Sequence, residues 1–438
     1  MLKLRKEFQS GYLSDYSLTD VLFVISCIVM ICIAVAYTVA TSSSVPLPLR
    51  LVFFLLFGIS FFKIDFFLPL ISSLLIIDYF SVTLLGILPT DKNYIIYLII
   101  IAYVLNFKFC FLNLKANSII LVFVLSFLLY AFVVTWMNGL EESVFLDVAI
   151  IFTLLLGFVK PSKTIDLLFG SFILSTFLLS FQGFFLRKEL LDITYGTLGK
   201  LKWTDPNYMS LIIDFGILLS FYLLTVFKNN YIRFITICFI LFQFYIVLLL
   251  GSRGGLIVCF ISVLYLFKKD LFSFKFVYYL IGIIFVLLAF YYLGFFETII
   301  VRFQENNLST AGSRTQIWNR IFSALSQRSF FGLLFGTGST SSWYAYSVVY
   351  AMRSPHNNYL ELFFDFGFFG LSLFLGLIIY IYFNSKNILA QAVILFILLG
   401  ALSLSPFNYE FPWLFLLFAI LIYKQNAIFV HEEKQQEN

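Results

Sequence analysis

Long apolar runs follow one another almost without interruption from residue 21 to residue 296, and again from residue 358 to residue 424. Fourteen of them are candidate spans, at 21–40, 46–61, 66–87, 94–111, 118–136, 143–159, 165–186, 208–227, 231–250, 255–267, 275–296, 358–383, 388–404 and 407–424. Crossing the hydrocarbon core of a bilayer takes about 20 apolar residues of helix. Inside lipid every backbone N–H and C=O has to be paired within the segment, so such runs read as helices. A transmembrane β-barrel would alternate apolar and polar residues, and these runs are continuous. Of the 438 residues only 12% are charged and 61% are hydrophobic, whereas soluble domains carry roughly 25% charge. The expected fold is therefore all-α: a polytopic integral membrane protein of about 14 transmembrane helices, with residues 1–438 as a single membrane domain.

Lysine and arginine set the expected orientation. With Lys3, Arg5 and Lys6 in the cytoplasm, every cytoplasmic connection carries a cation: Lys63; Lys108 and Lys115; Lys160 and Lys163; Lys228 and Arg233; Lys268, Lys269 and Lys275; Lys386; then Lys424 and Lys434. The short outer connections are poorer in cations, with Arg50, Lys92 and the Arg253 turn, so both termini are expected inside. Asp15, Tyr16 and Asp20 precede the first run, which lacks a small-residue cleavage site, so no cleavable signal peptide is read there. Two long outer loops depart from the pattern. One is 187–207, with Arg187, Lys188, Lys200 and Lys202; the other, 297–357, lies between spans eleven and twelve and holds Arg302, Arg314, Arg320, Arg328 and Arg353. Loops of that length usually carry function, and a cationic surface beside a membrane suits an anionic partner such as a diphosphate. The five cysteines (Cys27, Cys32, Cys110, Cys238, Cys259) all fall within apolar runs and read as small hydrophobes. No phosphate-binding Gly-x-x-x-x-Gly-Lys loop occurs, so direct use of ATP is not expected. The net charge of +5 gives no argument for nucleic acid, and no cofactor is expected.

In so apolar a chain the titratable groups near the outer loops stand out. His356 is one of two histidines, the other being His431 in the charged tail. Histidine is the side chain whose ordinary pKa of about 6.5 suits proton transfer near neutrality. Asn357 follows it as a helix N-cap, with Glu361 and Asp365 one and two turns along the same face. Carboxylates entering a membrane are functional candidates, and pairing with an arginine is the alternative for both. Gly367 and Gly370 allow close helix packing. No second histidine or cysteine lies near His356, which argues against a metal site. Arg253, in Leu250-Gly-Ser-Arg-Gly-Gly255, reads either as a bidentate clamp on phosphate or carboxylate oxygens or as an interfacial arginine reaching for headgroups. Ser313 or Thr310 can cap a helix over 314–325, with Arg314 at its positive N-terminus, Trp318 four residues on and Arg320 beyond. An ordinary surface helix is the alternative there. In Trp203-Thr-Asp-Pro-Asn-Tyr208, Asp205-Pro206 is a helix-start signal. Asp205 or Asn207 can serve as a plain cap, hold sugar hydroxyls or orient an arginine. Trp343, Tyr344, Tyr346 and Tyr350 can stack on sugars or rest at the headgroup level.

The Ser-Arg-Gly-Gly turn, the Arg-x-x-x-Trp helix and His-Asn with Gly-x-x-Gly at 367–370 occur in that order. As a set they resemble the O-antigen polymerase/ligase superfamily (Wzy- and WaaL-type), over roughly residues 200–380. Asp205-Pro206-Asn207 also recurs in that group. The resemblance implies a GT-C-like, metal-independent membrane glycosyltransferase. Its donor would be a glycan on undecaprenyl diphosphate at the periplasmic face of the bacterial inner membrane, and its acceptor a second lipid-linked unit. It implies that His356 activates the acceptor hydroxyl and that Arg253 and Arg314 hold the donor diphosphate. Asp205, Asn207, Arg320, Arg353, Asn357, Glu361 and Asp365 would support them or bind sugar. A Wzz-type co-polymerase would be the partner that sets chain length. Fourteen spans favour a polymerase, since ligases of the group usually show about twelve. A ligase acting on lipid A–core is the runner-up, and a flippase for lipid-linked sugars is the alternative of another class. Against the last, the polar groups gather at one face and no internal repeat is evident.

Overall fold

A computed structural model describes residues 18–41, 46–62, 64–78, 92–138, 144–159, 163–185, 206–269, 285, 288–294, 300, 313–339, 341–342, 355–385, 387–404, 407 and 411–422. Among these the regular structure is helical and no strand occurs. In chain order the helices are α1 (Leu18–Thr41), α2 (Leu47–Ser60), α3 (Ile64–Asp78), α4 (Lys92–Leu105), α5 (Phe107–Ala116), α6 (Ser118–Met137), α7 (Val144–Leu156) and α8 (Lys163–Phe185). They continue as α9 (Pro206–Val226), α10 (Asn230–Leu250), α11 (Arg253–Leu266), α12 (Ser313–Ser326), α13 (Phe330–Phe335), α14 (Asn358–Asn384) and α15 (Ile388–Ser403). The last is α16 (Phe411–Ile422).

The protein is a multi-pass membrane protein. Five described helices are long and apolar enough to cross a bilayer: 118–137, 167–185, 207–226, 230–250 and 358–384. Shorter apolar helices occupy 19–33, 253–266, 388–403 and 411–422. The run read as one span at 94–111 is two helices, bent by 95° between Leu105 and Phe107. Asn106 explains the break. Its amide Nδ2 donates to the Ala102 carbonyl at 2.9 Å, a local alternative to the helical ladder that apolar periodicity does not register.

The chain divides into two compact units, Met1–Leu98 with Ser162–Ile300 and Ile99–Pro161 with Val301–Asn438. In the first, α9 packs against α8, α10 and α11, and α3 packs on α8. Its interior is mostly Phe, Ile and Leu, and among the buried polar contacts Gln243 Nε2 donates to Thr176 Oγ1 at 3.1 Å. Gly216 makes room for that pair, because a Cβ there would lie 2.2 Å from Thr176 Oγ1.

In the second unit α6 and α14 pack antiparallel. Phe127 meets Phe366 and Phe374, and further along Phe123 meets Tyr380, with ring centroids 5.6–6.3 Å apart. The amphipathic α12 lays Ile317, Ile321 and Leu325, spaced four residues apart, against Phe364 of α14, with Phe363 and Leu333 alongside. Its opposite face exposes Asn319 and Arg320.

Candidate functional site

His356 sits where three local structures meet in the second unit. Its backbone adopts φ 53°, the only positive φ among the described non-glycine residues. The left-handed region is uncommon for side-chain-bearing residues, though Asn, Asp and His enter it most readily. Directly after it, Asn357 caps α14: its Oδ1 accepts from the N–H of Tyr359 at 3.0 Å and of Leu360 at 3.1 Å. The Asn357 amide also donates to the Leu402 carbonyl at 3.2 Å, and Asn358 N–H donates to the Leu404 carbonyl at 3.2 Å. The start of α14 is thus tied to the end of α15. Directly before His356, the Pro355 carbonyl accepts from Trp318 Nε1 at 3.0 Å. Trp318 lies one turn beyond Arg314 on α12, so the helix that begins Ser-Arg and the His-Asn turn are joined by a hydrogen bond.

Glu361 and Asp365 are both buried. Asp365 is an anchor for neighbouring backbone. Its Oδ1 accepts from Ser341 Oγ at 3.0 Å and from the Ser342 N–H at 2.8 Å, and its carbonyl accepts from Thr337 and Gly338 at 2.9 and 2.8 Å. Arg328 completes this network from the turn after α12. Its guanidinium lies 3.5 Å over the Phe364 ring, donates to the Phe364 carbonyl, and donates to Thr337 Oγ1 at 2.7 Å. Thr337 in turn donates to Ser341 Oγ at 2.8 Å. Burial draws the Arg328 pKa down from its ordinary value, and the Asp365 carboxylate opposes that shift.

Gly367 does more than permit close packing. It breaks α14 at φ 65°, ψ −170°, and the backbone of 334–336 presses into the space a side chain would fill. A Cβ at Gly367 would lie 2.4 Å from the Leu334 carbonyl oxygen, and one at Gly336 would lie 2.2 Å from that of Asp365. Gly370 does bring helices together, with Tyr130 Cε1 3.0 Å from where its Cβ would stand.

In the first unit, Gly251 ends α10 in the left-handed conformation at φ 63°, and Ser252 caps α11, its hydroxyl accepting from the Gly255 N–H at 3.3 Å. Arg253 is therefore the first residue of α11, half-buried at the helix's positive end. Against Gly255 in the first turn of α11 lies Asp214 of α9, fully buried, with Ser210 Oγ donating to its Oδ2 at 3.0 Å. Gly255 has to be glycine, since a Cβ would come 2.5 Å from both Asp214 Oδ2 and Ser210 Oγ. Asn207 is half-buried in the first turn of α9, which begins at Pro206.

Of the residues singled out in the sequence, Asp205 and Arg353 lie outside the described residues, as do the aromatics at 343–350. Arg314 is described for its place on α12 alone, and Arg320 is exposed on that helix. Asp214 is not among the residues singled out in the sequence, and Arg328 is read there only as one loop cation among five. A lone acid inside an apolar span was the available signal for Asp214. Among the described residues no group of three or more His, Cys, Asp or Glu side chains is placed to hold a metal ion.

Residues 237–375 match the family model described as O-antigen ligase. That stretch is similar to the O-antigen polymerase/ligase superfamily. The match contains Arg253, Arg314, Trp318, Arg328, His356, Asn357, Glu361 and Asp365 in one stretch; Asp205 and Asn207 precede it. Members of this family are glycosyltransferase-like enzymes that ligate or polymerise O-antigen-related glycans, and the match supports, at that coarse level, lipid-linked glycans in a membrane as substrates and lipopolysaccharide biosynthesis as the setting. Among curated proteins none matches the chain.

Proposed function

We propose that the chain is a polysaccharide polymerase of the bacterial inner membrane. It transfers a growing glycan from undecaprenyl diphosphate to the non-reducing-end sugar of a second lipid-linked repeat unit, on the periplasmic face. The observation that carries the reading is the Trp318–Pro355 hydrogen bond, which couples the helix bearing Arg314 to the turn bearing His356. An anion-binding helix start beside a group able to take a proton is what such a transfer needs. His356 accepts the proton of the acceptor hydroxyl as its oxygen attacks the anomeric carbon. The bond from that carbon to the diphosphate oxygen breaks, and undecaprenyl diphosphate leaves with the electron pair. Arg253 and Arg314 stabilise the charge that develops on the leaving group. In-line displacement inverts the anomeric centre.

Two variant predictions follow from these roles. Arg253→Lys and Arg314→Lys should each lower turnover by roughly 10²-fold, because an ammonium cannot offer two parallel donors to the diphosphate. Wild-type rates from both variants in a vesicle assay would remove the clamp. Trp318→Phe keeps an aromatic ring, though a smaller one, and deletes the Nε1 donor to Pro355. It should cost about 1 kcal/mol of stability yet cut turnover about tenfold with little change in KM, through misplacement of His356. Equal turnover would uncouple the two motifs.

The family's description as O-antigen ligase favours a second reading, transfer of finished glycan onto lipid A–core. The fourteen apolar runs of the sequence support the polymerase. Purified protein given one defined lipid-diphosphate repeat unit, with and without lipid A–core, tests the choice. The polymerase reading expects a ladder without lipid A–core; product only in its presence makes the chain a ligase.

A further inference from the structure

The fourteen residues Ser329–Ser342 carry no charge. They belong to the connection that the positive-inside reading assigns to water. Their position along two spans points elsewhere. Tyr130 Oη of α6 donates to the carbonyls of Phe335 and Phe366, at 2.8 and 2.9 Å. Tyr130 lies seven residues before the end of α6, roughly 10 Å along its axis. Phe366 lies eight residues into α14, roughly 12 Å from its start. Since α6 and α14 run antiparallel, these two depths are measured from the same side. With its 20 residues, α6 is about as long as the hydrocarbon core is thick, roughly 30 Å. Trp136, 73% exposed at the end of α6, stands where interfacial tryptophans mark the headgroup level. The C-terminal end of α13 is therefore about a third of the way into the apolar layer.

The backbone beyond α13 meets the condition such a depth imposes. Non-helical chain at membrane depth persists only where it is buried in protein with its polar groups paired. Gly336 N–H donates to Gly332 O at 2.9 Å; Thr337 and Gly338 donate to Asp365 O; and Ser341 donates to Gly338 O at 3.3 Å. Ser339 N–H donates to Thr135 Oγ1 of α6 at 3.1 Å, and Ser342 N–H to Asp365 Oδ1. Ser339 and Ser342 are buried. Arg328, the charge at the entrance, turns inward onto Phe364 and Thr337. The outward face is the reverse. Phe330 and Phe331 are each 70% exposed, and the Phe331 and Phe335 rings stack 6.5 Å apart. This face continues into the exposed Phe368 and Phe369 of α14, the latter against Tyr130 at 5.0 Å, and into exposed Phe132 and Leu129 of α6.

We infer that residues 329–339, with Ser341 and Ser342, form a re-entrant segment whose Phe330, Phe331 and Phe335 are embedded in the hydrocarbon of the bilayer. The partner of this face is acyl chain, joined to the lipid-facing sides of α6 and α14. The assignment stands whether the chain polymerises or ligates glycan.

The test is photo-crosslinking of the full-length protein in phosphatidylethanolamine–phosphatidylglycerol vesicles whose acyl chains bear an alkyne tag. The photoreactive p-benzoylphenylalanine replaces Phe331 or, in a second variant, Phe330, where the 70% exposure of each residue leaves room for the added benzoyl group. The same residue at Phe369 reports a span and at Asn319 the polar face of α12. Lipid adducts at 330 and 331 should equal those at 369 and exceed those at 319 on the order of tenfold. Yields at 330 and 331 as low as at 319 would return the segment to water. A protein–protein adduct in place of the lipid adduct would make the face a docking surface for another chain, and would equally overturn the inference.

Discussion

Replacing His356 by asparagine should abolish glycan transfer while leaving the protein folded. Loss of a general base lowers rates by roughly 10²–10⁴-fold. Asparagine is the informative replacement because it tolerates the left-handed backbone found at this position, φ 53°. Alanine would remove the imidazole too, but it enters the left-handed region less readily than histidine or asparagine. The surrounding restraints do not depend on the imidazole: Asn357 caps α14 through its own side chain, and Trp318 holds the carbonyl of Pro355. Turnover in vesicles and the thermal midpoint in detergent, measured together on His356→Asn and His356→Ala, give the answer. The expected pattern is two inactive proteins, with the asparagine variant melting near wild type. Substantial turnover by His356→Asn would mean that the residue serves geometry alone.

The largest expected effect on stability is at Gly367. An alanine there adopts a left-handed conformation at φ 65° and brings its Cβ to 2.4 Å from the Leu334 carbonyl and 2.5 Å from Gly336 N. The first costs about 1–2 kcal/mol and forcing two backbones apart adds about 1–3 kcal/mol. Gly367→Ala should therefore lose about 2–5 kcal/mol, enough to deplete the folded protein from membranes. Gly170→Ala is the matched control, since nothing lies within 4 Å of the added atom. It should be neutral or stabilise by about 0.5–1 kcal/mol. Equal thermal midpoints for the two variants would contradict the interlocked backbones at 334–336 and 365–367.

These two sites also show what the chain discloses before it is folded. Asn357 as cap, Pro206 as helix start and Ser313 as the beginning of α12 were legible, because capping is chemistry between residues two to four apart. Apolar runs at 118–136, 208–227 and 231–250 became α6, α9 and α10 to within two residues at each end. Residues whose partners are distant in sequence were not legible. Gly367 reads as a packing glycine until Gly336, 31 residues earlier, is found against it. Arg328 reads as one loop cation among five until Phe364 and Thr337 close over it. Averaging hydropathy over a span hides single residues as well, which is how Asp214 vanished into α9 and the bend at Asn106 into an apolar run. Within the site, the ordered arginine, tryptophan and histidine motifs were visible as sequence. Their physical link through Trp318 and Pro355 was not, since 37 residues separate the pair.

The proposed transfer is a displacement at a lipid diphosphate with His356 taking the proton. The direct measurement is release of undecaprenyl diphosphate by the purified full-length protein in vesicles, supplied with a defined lipid-linked repeat unit and followed alongside product. One undecaprenyl diphosphate should be released for each new glycosidic bond, and His356→Asn should release none. Glycosidic bonds formed without diphosphate release, or release by the variant at the wild-type rate, would contradict it.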